Sequence, residues 1–561
     1  MSRPEAPRSR VSVPMPRMTT AAAAVESLIG HGLTAIYALP GVHNDPLFDA
    51  LHAASDRIRV IHPRHEQAAG YMALGAALAT GKPQAFSVVP GPGVLNAGAA
   101  LLNAYGLGAP VLALVGQIPQ NAIDRGYGHL HELPDQLGLL RHLTKHAARI
   151  THPGEAPRLI AEALAKAQAG RARPVALECA IDVWGREAPV PMVAPQPPAP
   201  LAPDPEAVAK AAAMLDRAER PLIVVGGGAL DAAPALRALA EALAAPVMSF
   251  RRARGVLPSD HPLAVSWPVG HRLWAEADAV LAVGTRLHLP LSVWGSDAAL
   301  KLIRLDVDAE EIERYRRPDA AILADATLGL AALAEALPRR RRPARADVAA
   351  AQAWFATELT RLAPQMGFLG AIREALPEDG IVVEDVTQMG FVGRLAFPVA
   401  APRRYLSPGY QDNLGWGYGA ALGAKAALPD RPVVLLTGDG GFLYQAGEMA
   451  TAMRHGIAVV VVVFDDGAFG NVRRIQAEQY GNRLIASDLR NPDFVLLAES
   501  FGMPAWRADT PAALRAALGA ALSRNAPALI HVRLGEVPSP WPLILLPRVR
   551  GFEEVWRRAW P

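Results

Sequence analysis

Two aspartates follow two strongly apolar segments in the last third of the chain. Asp439 comes after the run at residues 433–436, and Asp466 comes after the run at residues 457–464. Apolar runs without alternation are typical of strands that are buried on both faces of a parallel sheet. The segment at residues 442–454 between them has a helical pattern. The stretch therefore predicts a βαβ unit whose two strand ends, with both aspartates, lie at the same edge of the sheet.

The residue types at that edge suit a metal ion and a diphosphate. Carboxylate oxygens of Asp439 and Asp466 are ligands for hard cations such as Mg²⁺ or Ca²⁺, and Mg²⁺ usually also takes phosphate oxygens. Gly438, Gly440 and Gly441 would let backbone N–H groups approach a diphosphate at a helix start. A Gly-Asp-Gly triplet alone is most often a turn, but the second acidic strand end favours a metal–diphosphate site.

This stretch resembles the metal–diphosphate motif of thiamine-diphosphate enzymes, in which GDG is followed by a helix, a strand and usually two asparagines. The resemblance implies that Asp439 and Asp466 supply side-chain ligands and that Ala468 supplies its backbone carbonyl. Both asparagine positions are aspartates in this chain. An aspartate still offers an oxygen to the metal, but it adds negative charge near the diphosphate.

A glutamate far upstream, Glu66, opens a helix-like run rich in alanine and glycine. Such a residue is usually a cap or a partner of the helix dipole. However, the segments RHEQAAGYMALGAALATGKP, PGPGVLNA and PVLALVGQIP resemble the first domain of acetolactate-synthase-like enzymes, and with the motif above the resemblance covers nearly the whole chain. It implies that Glu66 contacts the aminopyrimidine ring of thiamine diphosphate. A carboxyl that shares a proton with the ring nitrogen helps the cofactor's amino group to act as a base.

The same resemblance implies further cofactor contacts. Residues 407–417 occupy the place of the family's SSGGLGTMGFG-like segment. Leu414 falls on the large apolar residue that supports the bent cofactor, and Asp412 falls on a small residue whose backbone carbonyl receives the cofactor amine. Thr387 and Gln388, after another predicted strand, resemble the family's diphosphate loop and are expected to lie near the phosphates.

Two histidines are candidates for proton transfer at the substrate. His43, in GVHND, follows a strand and is expected beside the thiazolium ring. His131, in LHELPDQ, stands where relatives such as benzaldehyde lyase carry a catalytic glutamine. Loop histidines are more often surface or capping residues, but the two local resemblances favour catalysis. Imidazole exchanges protons near neutral pH.

Composition sets limits on the function. A net charge of +3 over 561 residues is too small to predict a nucleic-acid partner. No apolar run of ~18 residues occurs, and the opening residues lack the apolar core of a signal peptide, so no membrane association is expected. The single cysteine, Cys179, excludes an internal disulfide framework and predicts a reducing, cytoplasmic compartment. Its apolar surroundings in VALECAID predict a buried structural thiol.

Alternating helix and strand patterns predict an α/β fold with three doubly wound parallel-sheet domains. By the resemblance they are a pyrimidine-binding domain at residues 18–183, a middle domain at 200–337 and a diphosphate- and metal-binding domain at 351–536. The first and third are expected to share size and strand order, as a duplicated unit would. Strands are predicted at TAIYALPG, IRVIH, AFSVVP, VLALVGQIP and PVALECAID, then at PLIVVGGG, APVMSF, AVLAVGTRL and KLIRLDVD, and then at GIVVED, RPVVLLTG, AVVVVVF and PALIHVRL.

The middle domain is expected to lack flavin. Its Gly226-Gly227-Gly228 run has no GxGxxG fingerprint and is more typical of a tight strand-to-helix turn. It keeps ADAVLAVGTRL but lacks the flanking pattern that acetolactate synthases proper use to bind FAD. FAD is therefore an unlikely cofactor on the sequence.

The resemblance implies an enzyme that uses thiamine diphosphate and Mg²⁺, or Ca²⁺, on a small-molecule 2-oxo acid or 2-hydroxy ketone. A carboligase or lyase is favoured, a simple 2-oxo acid decarboxylase comes second and a carbon–carbon hydrolase third. A non-catalytic nucleotide-binding homologue is the alternative from another class. Because Glu66 and the metal ligands lie on domains that meet across subunits in this family, a homodimer or homotetramer with shared active sites is expected.

Overall fold

The computed structural model describes residues 15–552 except 339–341 and 344. Within them the backbone forms three six-stranded sheets and one two-stranded sheet. Neighbouring strands in every six-stranded sheet run parallel. Helices cover both faces of these sheets, because a central parallel strand presents apolar side chains on both sides. The predicted α/β fold with three doubly wound parallel-sheet domains is confirmed.

The elements follow one another in three groups. The N-terminal group contains strands β1 (Arg17–Thr19), β2 (Ala35–Ala38), β3 (Arg59–Ile61), β4 (Gln84–Val88), β5 (Val111–Gln117), β6 (His146–Ile150), β7 (Val175–Ala180) and β8 (Glu187–Pro189), and helices α1 (Thr20–Gly30), α2 (Asp45–Ala53), α3 (Glu66–Thr80), α4 (Pro92–Leu107), α5 (Gln136–Leu143), α6 (Ala156–Gln168) and α7 (Ile181–Trp184). The middle group contains strands β9 (Pro221–Val225), β10 (Val247–Ser249), β11 (Ala264–Val265), β12 (Ala279–Val283), β13 (Lys301–Asp306) and β14 (Ala320–Leu323), and helices α8 (Pro205–Arg217), α9 (Ala233–Leu243), α10 (Trp267–Glu276), α11 (Ala309–Glu313) and α12 (Ala326–Ala336).

The C-terminal group contains strands β15 (Ile381–Glu384), β16 (Tyr405–Leu406), β17 (Val433–Gly438), β18 (Val459–Asp465), β19 (Ala505–Arg507) and β20 (Ala528–Arg533), and helices α13 (Ala346–Thr360), α14 (Ala363–Ala375), α15 (Gln388–Ala396), α16 (Trp416–Ala427), α17 (Asp439–Leu443), α18 (Met449–His455), α19 (Gly470–Gln479), α20 (Phe494–Ser500) and α21 (Pro511–Arg524). Strands β1 and β8 pair antiparallel in the two-stranded sheet.

The first and third sheets share one topology. Their spatial orders are β3-β2-β4-β5-β7-β6 and β16-β15-β17-β18-β20-β19, so each domain's own strands lie in the order 2-1-3-4-6-5. The middle sheet has the order β11-β10-β9-β12-β13-β14, which is 3-2-1-4-5-6 within that domain. Both orders reverse direction in the sheet and leave a crevice at the carboxyl ends of the strands. The expected similarity in strand order of the first and third domains is confirmed.

Helices α3 and α16 occupy equivalent positions after the second strand of their domains, and they pack directly against each other. A Cβ added at Gly75 would lie 2.0 Å from the carbonyl oxygen of Ala420, and one added at Gly423 would lie 1.9 Å from that of Met72. Glycine at these two positions lets the helix backbones approach closely. The N-terminal and C-terminal domains are thereby held together within the chain.

The segment between β17 and β18 is not the single helix that the sequence predicts for residues 442–454. It consists of the short α17, a 3₁₀ turn at Ala446–Glu448 and α18. Gln445 accepts a hydrogen bond from the N–H of Gly419 (2.8 Å), and Glu448 accepts the N–H of Arg64 (3.0 Å). Because of these contacts with other elements, the segment does not form one continuous helix.

The structure also bears on two smaller expectations, and a third lies largely outside the described residues. Cys179 is fully buried in β7, as predicted for a structural thiol. In the part of the chain that the structure describes, no helix has the length and apolar character needed to cross a bilayer. The expectation about a signal peptide concerns residues 1–17, of which residues 1–14 lie outside the described part.

Candidate active site

The two predicted aspartates meet at one sheet edge. Strands β17 and β18 are neighbours with Gly438 opposite Phe464, so Asp439 at the start of α17 lies beside Asp466. Their carboxyl groups are within hydrogen-bond contact, and burial together with the charge of Asp439 raises the pKa of Asp466 to about 7. Burial also raises the pKa of Asp439. Two carboxyl groups held this closely favour a bound cation or a shared proton between them.

The neighbouring Asp465 faces a different set of partners. Its Oδ2 lies 3.1 Å from Nε2 of His531, and its Oδ1 accepts a hydrogen bond of 2.8 Å from Asn491. Asn491 also donates to Oδ2 of Asp439 at 2.6 Å. Asn491 therefore fixes the orientation of Asp439. Sequence reasoning missed it, because it lies in a loop after α19 with no motif around it.

The glycines beside Asp439 allow close packing of the turn. A Cβ on Gly440 would lie 2.7 Å from the ring of Phe469, and a Cβ on Gly441 would lie 3.1 Å from the carboxylate of Asp385. A Cβ on Gly438 would lie 3.3 Å from the side chain of Thr387. The backbone at this turn is therefore close to its neighbours, and a side chain on any of these glycines would crowd them.

Thr387 and Gln388 reach the same edge from α15. Thr387 precedes the first residue of that helix, and Gln388 is its first residue. A Cβ on Gly470 at the start of α19 would lie 2.6 Å from the amide of Gln388 and 2.8 Å from the carboxylate of Asp466. The structure therefore brings Thr387, Gln388 and Asp466 together, as the sequence expectation requires.

Ala468 lies two residues after Asp466. Its N–H donates to the carboxylate of Asp466, and it forms a β-bridge with Asp488. Among the described residues no group of three or more His, Cys, Asp or Glu side chains is arranged as a metal site. A metal here would take the two carboxylates, the Ala468 carbonyl and oxygens of a diphosphate. The paired carboxylates and the glycine turn fit such a group.

Glu66 is the first residue of α3 and is partly buried. The capping role belongs to His65, whose side chain accepts the N–H of Gln67 at 3.2 Å. Glu66 instead accepts a hydrogen bond of 3.0 Å from Asn96 on α4. Asn96 orients the carboxyl and was not singled out from the sequence, because nothing in the spacing of the two residues indicates the contact.

The two predicted histidines lie together. Their rings stack with centroids 5.2 Å apart and an interplanar angle of 25°. His43 is 4% exposed, in a 3₁₀ turn after β2, while His131 takes a left-handed backbone with φ of 63°. Burial and the proximity of His131 lower the pKa of His43. Nδ1 of each ring is buried and has no hydrogen-bond partner among the described residues.

A buried polar network supports the loop that carries His131. Gln136 accepts the N–H of Gly91 (3.0 Å) and donates to Glu178 (3.0 Å), a residue with no exposed surface. Arg149 pairs with the same glutamate at 2.6 Å. Glu178 is a supporting residue that sequence reasoning missed, although it adjoins Cys179 in a predicted strand.

Asp385 is a further missed residue. It follows β15, is almost fully buried and accepts the N–H of Val386 at 2.8 Å. Burial raises the pKa of Asp385 to about 7. The rule that found Asp439, an acidic residue directly after a buried strand, also applies to Asp385 and could have identified it.

The loop at residues 407–415 lies between β16 and α16. Leu414 is partly exposed and belongs to none of the hydrophobic core clusters, which distinguishes it from an ordinary core leucine. Asp412 has a left-handed backbone with φ of 48°, a conformation easiest for glycine and tolerated by aspartate. Its side chain forms ion pairs with Arg394 and Arg251.

A separate cavity of about 720 Å³ lies between the N-terminal and middle domains. Its walls include Gly226-Gly227-Gly228, the Thr285-Arg286 turn, Arg252 and Tyr410. The glycine run is a 3₁₀ turn after β9, as its tight-turn interpretation predicts.

Comparison with known proteins agrees with this architecture. Residues 18–139 match the family "Thiamine pyrophosphate enzyme, N-terminal TPP binding domain", residues 208–333 match its central domain, and residues 385–532 match its C-terminal TPP binding domain. The chain is 36% identical to the "Probable 2-ketoarginine decarboxylase AruI" of Pseudomonas aeruginosa over 511 residues, which cover 87% of this chain and 89% of that protein.

Two acetolactate synthases are also similar. The isozyme 1 large subunit of Escherichia coli is 30% identical, over 94% of this chain and 96% of that protein. The probable large subunit of Methanocaldococcus jannaschii is 32% identical, over 92% of both chains. With three domains in the family's order and this similarity over nearly the full length, the chain belongs to the thiamine pyrophosphate enzymes and is an acetolactate-synthase-like enzyme that forms or cleaves carbon–carbon bonds.

Proposed function

We propose that the protein is a thiamine diphosphate- and Mg²⁺-dependent carboligase or lyase that acts on 2-oxo acids or 2-hydroxy ketones. The observation that carries this proposal is the contact between Asp439 and Asp466 beside the glycine turn. Paired carboxylates at a glycine turn that begins a helix suit a divalent cation with a diphosphate. In this assignment Asp439, Asp466 and the carbonyl of Ala468 bind the metal, with Thr387 and Gln388 near the phosphates.

The chain's own residues have separate tasks in the reaction. Bound thiamine diphosphate supplies a nucleophilic carbon that adds to a carbonyl and accepts the electron pair of the broken carbon–carbon bond. Glu66, oriented by Asn96, shares a proton with the cofactor's pyrimidine nitrogen. His43 and His131 transfer protons to or from the substrate. Because the pKa of His43 is lowered by burial, this ring is neutral at pH 7 and can accept a proton.

A simple 2-oxo acid decarboxylase is the second candidate. One observation favours it: the identity of 36% to a protein named as a probable 2-ketoarginine decarboxylase exceeds the 30% and 32% to the two acetolactate synthases. A decarboxylase and a carboligase that act on a 2-oxo acid both begin with loss of carbon dioxide. They differ in whether a proton or a second carbonyl compound completes the reaction. A lyase that acts on a 2-hydroxy ketone instead releases an aldehyde and no carbon dioxide.

The test is a substrate panel with two readouts. Purified protein with thiamine diphosphate and Mg²⁺ is given 2-oxo acids with small apolar, aromatic and guanidinium-bearing side chains, and carbon dioxide and acyloin are measured. Carbon dioxide with acyloin supports the carboligase, and carbon dioxide with aldehyde alone supports the decarboxylase. The Glu66→Gln variant is the control for background reaction. If no substrate reacts and calorimetry detects no cofactor binding, a non-catalytic homologue becomes the better account.

The proposal includes a homodimer or homotetramer with shared active sites and a cytoplasmic location. Glu66 lies on α3 in the N-terminal domain, and the proposed metal-binding aspartates lie in the C-terminal domain. A site formed by the N-terminal domain of one subunit and the C-terminal domain of another requires at least two chains. Light scattering on active protein tests the assembly, and an active monomer would contradict it. The location rests on the single cysteine, which is buried in β7.

A further inference from the structure

Asp412 combines a charged side chain with a backbone conformation that favours glycine. Its φ of 48° lies in the left-handed region, and Gly409 and Gly415 in the same loop have φ of 69° and 79°. Aspartate tolerates this region, although less readily than glycine, so side-chain contacts can help to hold the backbone there. The carboxylate of Asp412 makes such contacts.

Two arginines from different domains bind the Asp412 carboxylate. Arg394 on α15 donates to Oδ1 at 2.6 Å and to Oδ2 at 2.9 Å, and Arg251 after β10 donates to Oδ2 at 3.0 Å. Arg251 also donates to the carbonyl of Gly409 in the same loop. Burial opposes ionisation, but the two guanidinium groups lower the pKa of Asp412. The carboxylate is therefore charged, and it accepts two hydrogen bonds from Arg394 and one from Arg251.

Arg394 is itself rigidly held. Its side chain is 2% exposed, and its Nε pairs with the carboxylate of Glu384, which is fully buried at the end of β15. Tyr405 donates to the other oxygen of Glu384, and the indole of Trp416 donates to the Glu384 carbonyl at 2.9 Å. The guanidinium that grips Asp412 is thus fixed to the central sheet of the C-terminal domain.

The N-terminal domain holds the next residue of the loop. Asn103 on α4 donates to the side-chain oxygen of Asn413 and, at 3.3 Å, to the carbonyl of Pro408. Asn413 donates in turn to the hydroxyl of Tyr71 on α3. Side chains from all three domains therefore bind this short loop, and Leu414 follows directly after the two anchored residues.

We propose that Asp412 is a positioning residue for the ring end of the cofactor. Its carboxylate, held between Arg394 and Arg251, fixes the left-handed backbone that aims its own carbonyl and Leu414 toward the cofactor. Arg251 makes the middle domain part of this arrangement. The inference rests on the proposed use of thiamine diphosphate. In it, the ion pairs of Asp412 with Arg394 and Arg251 contribute to binding of the cofactor's rings and do not contribute to binding of its diphosphate.

Binding measurements with two probes test this assignment. Apo protein with Mg²⁺ is titrated with thiamine diphosphate and, separately, with inorganic pyrophosphate, which lacks the rings. The variants are Asp412→Gly, which permits the backbone but removes the carboxylate, Asp412→Asn, which keeps shape but removes charge, and Arg251→Gln. Arg237→Gln is the matched control, because Arg237 is an exposed middle-domain arginine paired with Glu241. Circular dichroism confirms that each variant is folded.

The expected result is that both Asp412 variants weaken thiamine diphosphate binding by about 10-fold to 100-fold, as for the loss of a charged hydrogen bond. Pyrophosphate affinity stays within about twofold, and Arg251→Gln acts in the same direction with a smaller effect. Wild-type affinity for thiamine diphosphate in Asp412→Gly would overturn the inference. Equal weakening of both probes would also overturn it, since the role would be purely structural. If wild-type protein binds neither probe, the proposed function fails with it.

Discussion

The imidazole rings of His43 and His131 stack with their centroids 5.2 Å apart, although three strands (β3, β4 and β5) and three helices (α2, α3 and α4) lie between them in the chain. Burial and then the proximity of His131 lower the pKa of His43. Nδ1 of each ring is buried and has no hydrogen-bond partner among the described residues. The two candidates for proton transfer are therefore neighbours, and a change at one ring alters the surroundings of the other.

Replacement of His131 by glutamine should retain cofactor binding and change the products. Glutamine forms hydrogen bonds but does not exchange a proton near neutral pH. Aldehyde release should therefore fall relative to acyloin formation, and the part of the pH dependence of the product ratio that comes from this imidazole should disappear. Product analysis across pH measures both effects. His129→Gln, at an exposed position of the same loop, is the control. An unchanged ratio and pH profile in His131→Gln would leave His43 as the remaining candidate.

Replacement of Glu66 by glutamine should keep the fold and much of the cofactor affinity but lower turnover by ~2–4 orders of magnitude, as for a positioned acid or base. The amide keeps the shape of the side chain and the contact with Asn96, but it cannot share a proton in the same way. Steady-state kinetics and cofactor titration separate the two effects. Glu335→Gln, at an exposed position on α12, should behave like wild type. Near-normal turnover in Glu66→Gln would remove its assigned role.

The contact between His62 and His455 should make the protein less stable in acid. These rings join the N-terminal and C-terminal domains with a nitrogen–nitrogen distance of 3.1 Å. Burial and then the proximity of His62 lower the pKa of His455 from 6.5 to about 4. Between these values the unfolded chain binds more protons than the folded one, so the free energy of unfolding falls as the pH is lowered.

Thermal unfolding at pH 5 and pH 7.5 measures this effect. The loss in Tm at the lower pH should be smaller in His455→Gln than in wild type, by roughly 2–4 °C. His142→Gln, at an exposed position, should match wild type. The same loss in Tm for His455→Gln and wild type would show that another group titrates.

Activity should not require flavin. The expectation comes from the missing flavin pattern in the middle domain, although the cavity of about 720 Å³ there has room for a ligand. Purified protein should be colourless, and added FAD should leave the rate unchanged. Visible absorbance and activity before and after dialysis against FAD-free buffer measure this. A yellow protein whose activity is lost with the flavin would reverse the assignment.

The central strands of all three sheets were predictable from sequence, but most of the edge strands were not. Seven strands were missed: β1 and β8, which form the two-stranded sheet, and β6, β11, β14, β16 and β19, each of which lies at the edge of a six-stranded sheet. A central parallel strand is apolar on both faces and leaves a continuous run, as in residues 459–464 of β18. These five edge strands span two to five residues and, except for the two-residue β16, have mixed burial, so they leave no such run.

The site residues also divide into those that were predictable from the sequence and those that were not. Asp439 and Asp466 were predictable because strand ends in a parallel sheet share one edge. Asn491, Asn96 and Arg251 were not, because each acts through a hydrogen bond between elements far apart in the chain. Only the tertiary structure brings such partners together.

The packing of α3 against α16 has one more consequence. The two helices are topologically equivalent, and their contact is reciprocal: Gly75 meets Ala420, and Gly423 meets Met72. This is the pattern of an isologous interface, in which each partner offers the same patch. The N-terminal and C-terminal domains of one chain are thus related to each other as two copies are in a twofold dimer. We expect either domain, made alone, to form a dimer through its own helix, α3 or α16.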